Sequence, residues 1–150
     1  IDLAKKDGGQ VVCGGERLFL NGKLKNGYYL SPTVILNTKY TDKINQEEVF
    51  GPVATIMPFN SEEDVIKMCN STKYGLSASI FSNNVSRAHR VASKITAGVI
   101  WINTWVLRDL RIPFGGMKHS GFGREGGRYS LDFFTETKNV CIKIEKGPNK

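Results

Sequence analysis

Six of the 16 glycines in this chain fall between Arg108 and Gly127, in the run RDLRIPFGGMKHSGFGREGG, which matches neither a helical nor a strand period. Each glycine costs conformational entropy on folding and lets the backbone reach positive φ or approach its neighbours closely. Pro113 fixes its own φ and biases Ile112 toward an extended conformation, so Phe114 is predicted to project from a stiff corner. A loop lining a pocket fits these features, and so does a plain surface loop with scattered basic residues. Gly121 to Gly126 matches GxGxxG literally, but that template needs a strand before it and a helix after it within a βαβ unit. The residues before Gly121 read as more loop, which argues against a dinucleotide fingerprint here.

The whole sequence has 40% hydrophobic and 23% charged residues over 150 positions, enough apolar material for one core. No apolar run approaches the ~18 residues of a membrane span, so no membrane partner is expected. The start, IDLAKKDGG, is not a signal peptide and carries no initiator Met, which is read as the mark of a fragment. Cys13, Cys69 and Cys141 are odd in number, widely spaced and without a CxxC, so neither a disulfide framework nor a metal site is signalled. A reducing, cytoplasmic setting is the corresponding expectation. The sequons at Asn70 and Asn84 read as chance matches without a secretory signal. The formal net charge of +7 is spread along the chain with no aromatic-interleaved basic run. No nucleic-acid partner is therefore expected; a small anionic ligand or a merely basic surface explains the charge.

The pattern along the chain predicts α/β structure. A helix around Asp2 to Asp7, an apolar run at Val11 to Cys13 and a short strand Pro32 to Leu36 precede a polar loop, Asn37 to Asn45. From Val53 the rhythm reads βαβαβ: a strand Val53 to Phe59, a helix from Ser61, a strand Leu76 to Phe81, a second helix, and a strand Val99 to Asn103. Ser61 is the predicted N-cap of the first helix, with Glu62, Glu63 and Asp64 in its first turn and a face of Val65, Met68 and Cys69 to bury. The second helix carries Val85, Ala88, Val91, Ala92 and Ile95 on one stripe and is expected to stop at Gly98. The nearly all-apolar Val99 to Ile102 suits a central parallel strand with both faces covered. It feeds directly into the glycine-rich loop, and ligands gather at the carboxyl ends of such strands. A short helix is expected near Tyr129 to Phe134. Asn139 to Ile144 alternates with a period of two, which predicts an exposed strand that needs a partner, with another subunit as candidate.

Four blocks, in order, carry a resemblance: Gln46-Glu47-Glu48-Val49-Phe50-Gly51-Pro52-Val53, Tyr74-Gly75-Leu76-Ser77-Ala78, Gly98-Val99-Ile100-Trp101-Ile102-Asn103 and Pro113-Phe114-Gly115-Gly116-Met117-Lys118. With them the sequence resembles the aldehyde dehydrogenase superfamily over essentially its whole length, as the C-terminal portion of a much longer enzyme. Asn103 to Arg111 and Asn139 to Ile144 look most like the 2-hydroxymuconic and 2-aminomuconic semialdehyde dehydrogenases. The implied fold is a parallel-sheet catalytic subdomain over residues 1–138, with residues 139–150 as a strand and tail for an oligomerisation sheet. The implied assembly is a homodimer or homotetramer.

The resemblance implies NAD-dependent oxidation of a small-molecule aldehyde through a cysteine nucleophile and a general-base glutamate, both expected upstream of Ile1. No catalytic residue is therefore assigned within this chain. Glu48 matches a glutamate that hydrogen-bonds the nicotinamide-ribose hydroxyls, and Phe50 matches an apolar residue against the nicotinamide. Phe114 matches an aromatic residue lining the aldehyde tunnel. Arg108 stands where the muconic enzymes use an arginine for the substrate carboxylate, a match to the planar fork of a guanidinium. An ion pair of Arg108 with Asp109 or another acid is the alternative. Trp105 and Leu107 are expected to shape the wall, and Arg111 is a weaker candidate for a second anion contact. A dehydrogenase for a different aldehyde and a non-catalytic binding or oligomerisation fragment stay open as alternatives.

Overall fold

The computed structural model describes residues 1–144. Its first part runs α1 (Asp2–Lys6), β1 (Gln10–Cys13), β2 (Arg17–Leu18), a 3₁₀ turn (Gly22–Leu24), β3 (Tyr29–Leu30), β4 (Thr33–Leu36), α2 (Lys43–Gln46) and β5 (Val53–Thr55). The second part runs α3 (Glu62–Asn70), β6 (Tyr74–Gly75), β7 (Ser77–Ile80), α4 (Val85–Ala92), β8 (Val99–Ile102), β9 (Met117–Lys118) and α5 (Arg128–Phe134). The mixture is α/β, as the pattern predicts. The stretch expected to be loop up to Asn45 already enters a short helix, α2.

The expected βαβαβ unit divides between two sheets. β4 forms the middle of one, antiparallel to β1 and parallel to β5, with Thr33 opposite Val53 and Ile35 opposite Thr55. β7 and β8 form the other as a parallel pair, with Ser77 opposite Val99 and Ile80 opposite Ile102. Within the predicted βαβαβ stretch, only β7, α4 and β8 make a βαβ unit; β5 is instead the second strand of a parallel pair with β4, reached through α2. β5 is shorter than expected because Pro58, two residues beyond Ile56, has no N–H to continue a ladder. Ile56 still donates its N–H to the Ile35 carbonyl at 3.0 Å.

Both long helices start on side-chain caps. The Ser61 hydroxyl accepts from the Asp64 N–H at 3.1 Å, and the Asn84 side-chain oxygen accepts from the Arg87 N–H at 2.8 Å. Both sequon asparagines are thus committed to structure, since Asn70 also accepts from the Thr96 N–H and donates to the Lys94 carbonyl. Glu62 bridges α3 to α4, taking Arg90 bidentately (2.7 and 2.8 Å) and Arg87 (3.1 Å). Hydrogen bonding from Arg90, then from Arg87, holds the Glu62 carboxyl below its ordinary value.

Burial departs from the sequence expectation. Among the described residues the apolar core is Ala4, Ile35, Ala88, Val91 and Ala97, and Ile35 is the one large side chain fully buried. Ala88 and Val91 bear out the stripe of α4 in part, Val85 being 65% exposed, Ala92 half-buried and Ile95 beyond the helix; Val65 and Met68 of α3 are only half-buried and Cys69 is exposed. All four residues of β8 are half-buried, because β8 has only β7 beside it among the described residues. It is an edge strand here, not a central one.

One further expectation is corrected. α4 ends at Ala92 with Ser93 as its C-cap, five residues before Gly98, so Gly98 is not its cap. Asn139 to Ile144 pairs with no strand among the described residues, and Val140, Ile142 and Ile144 are 69%, 78% and 86% exposed; the ladder expected of this segment is one with another subunit. The remainder of the 139–150 segment lies outside the described residues.

Candidate functional site

β8 delivers the chain into the glycine-rich loop through residues held in uncommon conformations. Asn103 has φ 54°, which asparagine tolerates, and its amide grips Ser82, accepting from the backbone N–H at 2.8 Å and donating to the carbonyl at 3.0 Å. Val106 has φ 56°, an outlier for a β-branched residue that persists only where surrounding contacts over-determine it. Those contacts come from Trp101 in β8. Its indole N–H donates to the Leu107 carbonyl at 2.8 Å, and its ring meets Trp105 edge to face with centroids 5.4 Å apart. Trp105 and Leu107 are thereby presented outward, 67% and 72% exposed.

Arg108 follows, and the structure joins it to Phe114. The guanidinium carbon lies 4.2 Å from the centroid of the Phe114 ring, a cation–π contact, while Nη2 donates to the Glu125 carboxylate. Phe114 and Glu125 are themselves locked by reciprocal backbone hydrogen bonds of 2.8 Å each. The alternative reading of Arg108, an ion pair with Asp109 or another acid, holds with Glu125 as the acid and not Asp109. That carboxylate is closed on Arg111, whose Nε lies 2.9 and 3.0 Å from its two oxygens. Hydrogen bonding from Arg111 lowers the Asp109 carboxyl below its ordinary value and occupies the proposed second anion contact.

The loop is seated by side chains that sequence reasoning did not single out. Lys118 Nζ donates to the carbonyls of Asn70 (3.0 Å) and Thr72 (2.8 Å), and the Ser120 hydroxyl accepts from the Gly75 N–H at 2.9 Å. Arg124 reaches back to the carbonyls of Gly116 (2.8 Å) and Gly123 (2.7 Å). Beside this frame lies a cavity of about 290 Å³ lined by Leu76, Phe114, Glu125, Phe133 and Phe134, among others. The signal for Glu125 was present: a basic residue stacked on an aromatic ring calls for a counter-ion, and Glu125 is an acid in the same glycine-rich run.

Glu48 and Phe50 sit on a separate edge, after α2. Glu47 is spent on Lys43 at 3.6 Å, whereas the exposed Glu48 carboxylate takes no hydrogen bond or ion pair among the described residues. Glu48 lines a cavity of about 620 Å³ together with Thr72, Tyr74, His119 and Ser120. That cavity shares Leu76 and Ser120 with the one beside Phe114, but Glu48 lines only the first of the two, Phe114 only the second, and Arg108 neither. Phe50 is 91% exposed at φ 57°, a strained placement for a bulky side chain.

No cysteine here has the surroundings of a nucleophile. Desolvation pushes the Cys69 thiol upward, against thiolate formation, while Cys13 points at the Pro32 carbonyl and Cys141 at the Asn139 side chain. Among the described residues no helix is long and apolar enough to cross a membrane.

Comparison with known proteins supplies the family. Residues 1–140 match the aldehyde dehydrogenase family. The chain is 50% identical over 145 residues to the 2-aminomuconic semialdehyde dehydrogenase of Danio rerio, covering 95% of this chain and 30% of that protein. It is 48% identical over 141 residues to the 2-hydroxymuconic semialdehyde dehydrogenase of Pseudomonas putida, covering 94% of this chain and 29% of that one. An aldehyde dehydrogenase from Bacillus cereus, solved as an NAD⁺ complex, superimposes with a TM-score of 0.86 at 44% identity, over 96% of this chain and 28% of that one. The chain thus spans about 30% of the length of the curated relatives it matches. With its four motif blocks in order and its fold reproduced in that solved structure, the chain belongs to the aldehyde dehydrogenase family.

Proposed function

We propose that these residues are the C-terminal part of an NAD-dependent dehydrogenase that oxidises an acidic, muconic-type semialdehyde to the carboxylic acid. The observation that carries this reading is the Arg108 guanidinium, stacked on Phe114, which itself lines the cavity of about 290 Å³, and bound to protein among the described residues through one nitrogen only. Its remaining N–H groups are free to fork a substrate carboxylate. Trp105, Leu107 and Phe114 supply the apolar wall along which the carbon chain lies. The nucleophilic cysteine and general-base glutamate lie outside these 150 residues. The muconic semialdehyde dehydrogenases among the relatives support the same substrate class.

The residues after α2 fit NAD. Glu48 offers two unpartnered acceptor oxygens at the lip of its cavity, suited to paired ribose hydroxyls, and Phe50 offers an open aromatic face. Bound there, the nicotinamide supplies the hydride acceptor. Glu48→Gln in the full-length protein keeps the shape but loses the charge, so KM for NAD is expected to rise about fivefold. Unchanged NAD kinetics would remove Glu48 from the site.

We also place the enzyme in the cytoplasm as a homodimer or homotetramer, with Asn139 to Ile144 gaining its ladder from another subunit. The alternation of exposed Val140, Ile142 and Ile144 with polar neighbours supports that pairing. The substrate reading is tested with the full-length protein on two six-carbon aldehydes, 6-oxohexanoate and hexanal. We expect kcat/KM to favour the acid at least about tenfold. Equal rates, or a preference for hexanal, would move the assignment to another aldehyde within the family.

A further inference from the structure

We propose that Glu125 is a specificity-determining residue of this site: a resident carboxylate that holds Arg108 on Phe114 and moderates its grip on the carboxylates of substrate and product. The inference rests on the reading of Arg108 as the substrate's carboxylate contact.

Three features of the geometry carry it. The reciprocal 2.8 Å backbone bonds between Phe114 and Glu125 fix the acid relative to the ring on which Arg108 lies. The contact is made through Nη2 alone, so Glu125 orients the guanidinium without closing it, unlike the fully forked pair of Arg111 with Asp109. The pair is also half in water, with side chains 35% and 53% exposed, and ion pairs in that setting are weak. A weak, one-point internal ion pair yields to a forked external carboxylate. Its charge persists beside the bound ligand, a few ångströms from a second negative group, and offsets part of the attraction.

Two other arginines of the loop do not substitute for Arg108. Arg111 is taken by Asp109, and Arg124 is turned onto the carbonyls of Gly116 and Gly123. With Glu125 in place, an acidic semialdehyde is recognised, yet its dicarboxylate product, which carries one more charge, is released.

The test uses Glu125→Gln in the full-length enzyme, which keeps an oxygen acceptor for Nη2 and removes the charge. KM for 6-oxohexanoate is expected to fall about fivefold and the inhibition constant of adipate to fall by at least as much, with KM for hexanal unchanged. Glu125→Asp, with the charge restored, is expected to return both values toward wild type. Equal shifts for both aldehydes, weaker adipate inhibition, or failure of Asp to restore what Gln changed would each overturn the proposal. A wild-type enzyme inhibited no better by adipate than by hexanoate would instead remove the Arg108 reading beneath it. Strong wild-type adipate inhibition that Glu125→Gln leaves unmoved would sink the role of Glu125 alone.

Discussion

Arg108→Ala in the full-length enzyme is expected to lower kcat/KM for 6-oxohexanoate roughly 30- to 150-fold while changing that for hexanal less than about threefold. The magnitude corresponds to about 2 to 3 kcal/mol, the lower part of the range for truncating one partner of a charge pair, because Arg108 is 35% exposed rather than sealed. Two effects add. The substrate carboxylate loses its forked donor, and Glu125 is left as an unpaired negative charge beside the position the substrate's charge would take. Phe114 loses its cation–π partner but keeps its backbone lock to Glu125, so the apolar wall that hexanal uses survives. Lysine should not restore the activity, because a point charge on a flexible stem reproduces neither the planar stacking on Phe114 nor the fork. Steady-state kinetics on the two aldehydes decides the matter. Equal losses for both would mean that Arg108 only holds the loop together, and the acidic-substrate reading would fall.

The sequence disclosed what depends on neighbours along the chain. Ser61 capping α3, the acidic first turn after it, the buried stripe of Ala88 and Val91, and the helix near Tyr129 are all local patterns, and each appears in the structure. Non-local facts were less legible. Nothing in Val53 to Thr55 announces that β4, rather than β7, is its partner, since strand pairing is decided by which edges meet in space. The apolar run Val99 to Ile102 correctly signalled a strand, but periodicity cannot say what covers it, and here β8 is half-buried at an edge. The same limit applies to Val65 and Met68 on α3.

The site divides along the same line. Pro113 and the glycines located the loop, and the resemblance located Arg108, Phe114, Glu48 and Phe50 as candidates. Neither revealed that Glu125, 17 residues after Arg108, is the acid that meets it. Nor could they reveal that Trp101 holds Val106 and Leu107 in place, because that contact requires β8 and the loop to be folded against one another.

Gly98→Ala is expected to cost about 3 kcal/mol or more of stability and to lower the thermal midpoint of the full-length protein by about 5 °C or more. The reason is a collision with backbone. A Cβ at position 98 would lie 1.6 Å from the Gly115 carbonyl oxygen, 2.8 Å from its carbon and 3.3 Å from the Gly116 Cα. No side-chain rotation relieves contacts with main-chain atoms, so the loop would have to lift by roughly 1.5 to 2 Å to regain ordinary separation. Gly98 cannot retreat the other way without loss, because its N–H donates to the Gly75 carbonyl at 3.1 Å and it leads directly into β8. Lifting Gly115 moves Phe114, the platform under Arg108, so selectivity for the acidic aldehyde should fall together with stability. Gly51→Ala is the control: a Cβ there meets nothing within 4 Å, and the melting curve should stay within about 1 kcal/mol of wild type. A Gly98→Ala protein that melts like wild type and keeps its preference for 6-oxohexanoate would show that the loop does not rest on Gly98. The coupling from the start of β8 to the Arg108 platform would then have to run by another route.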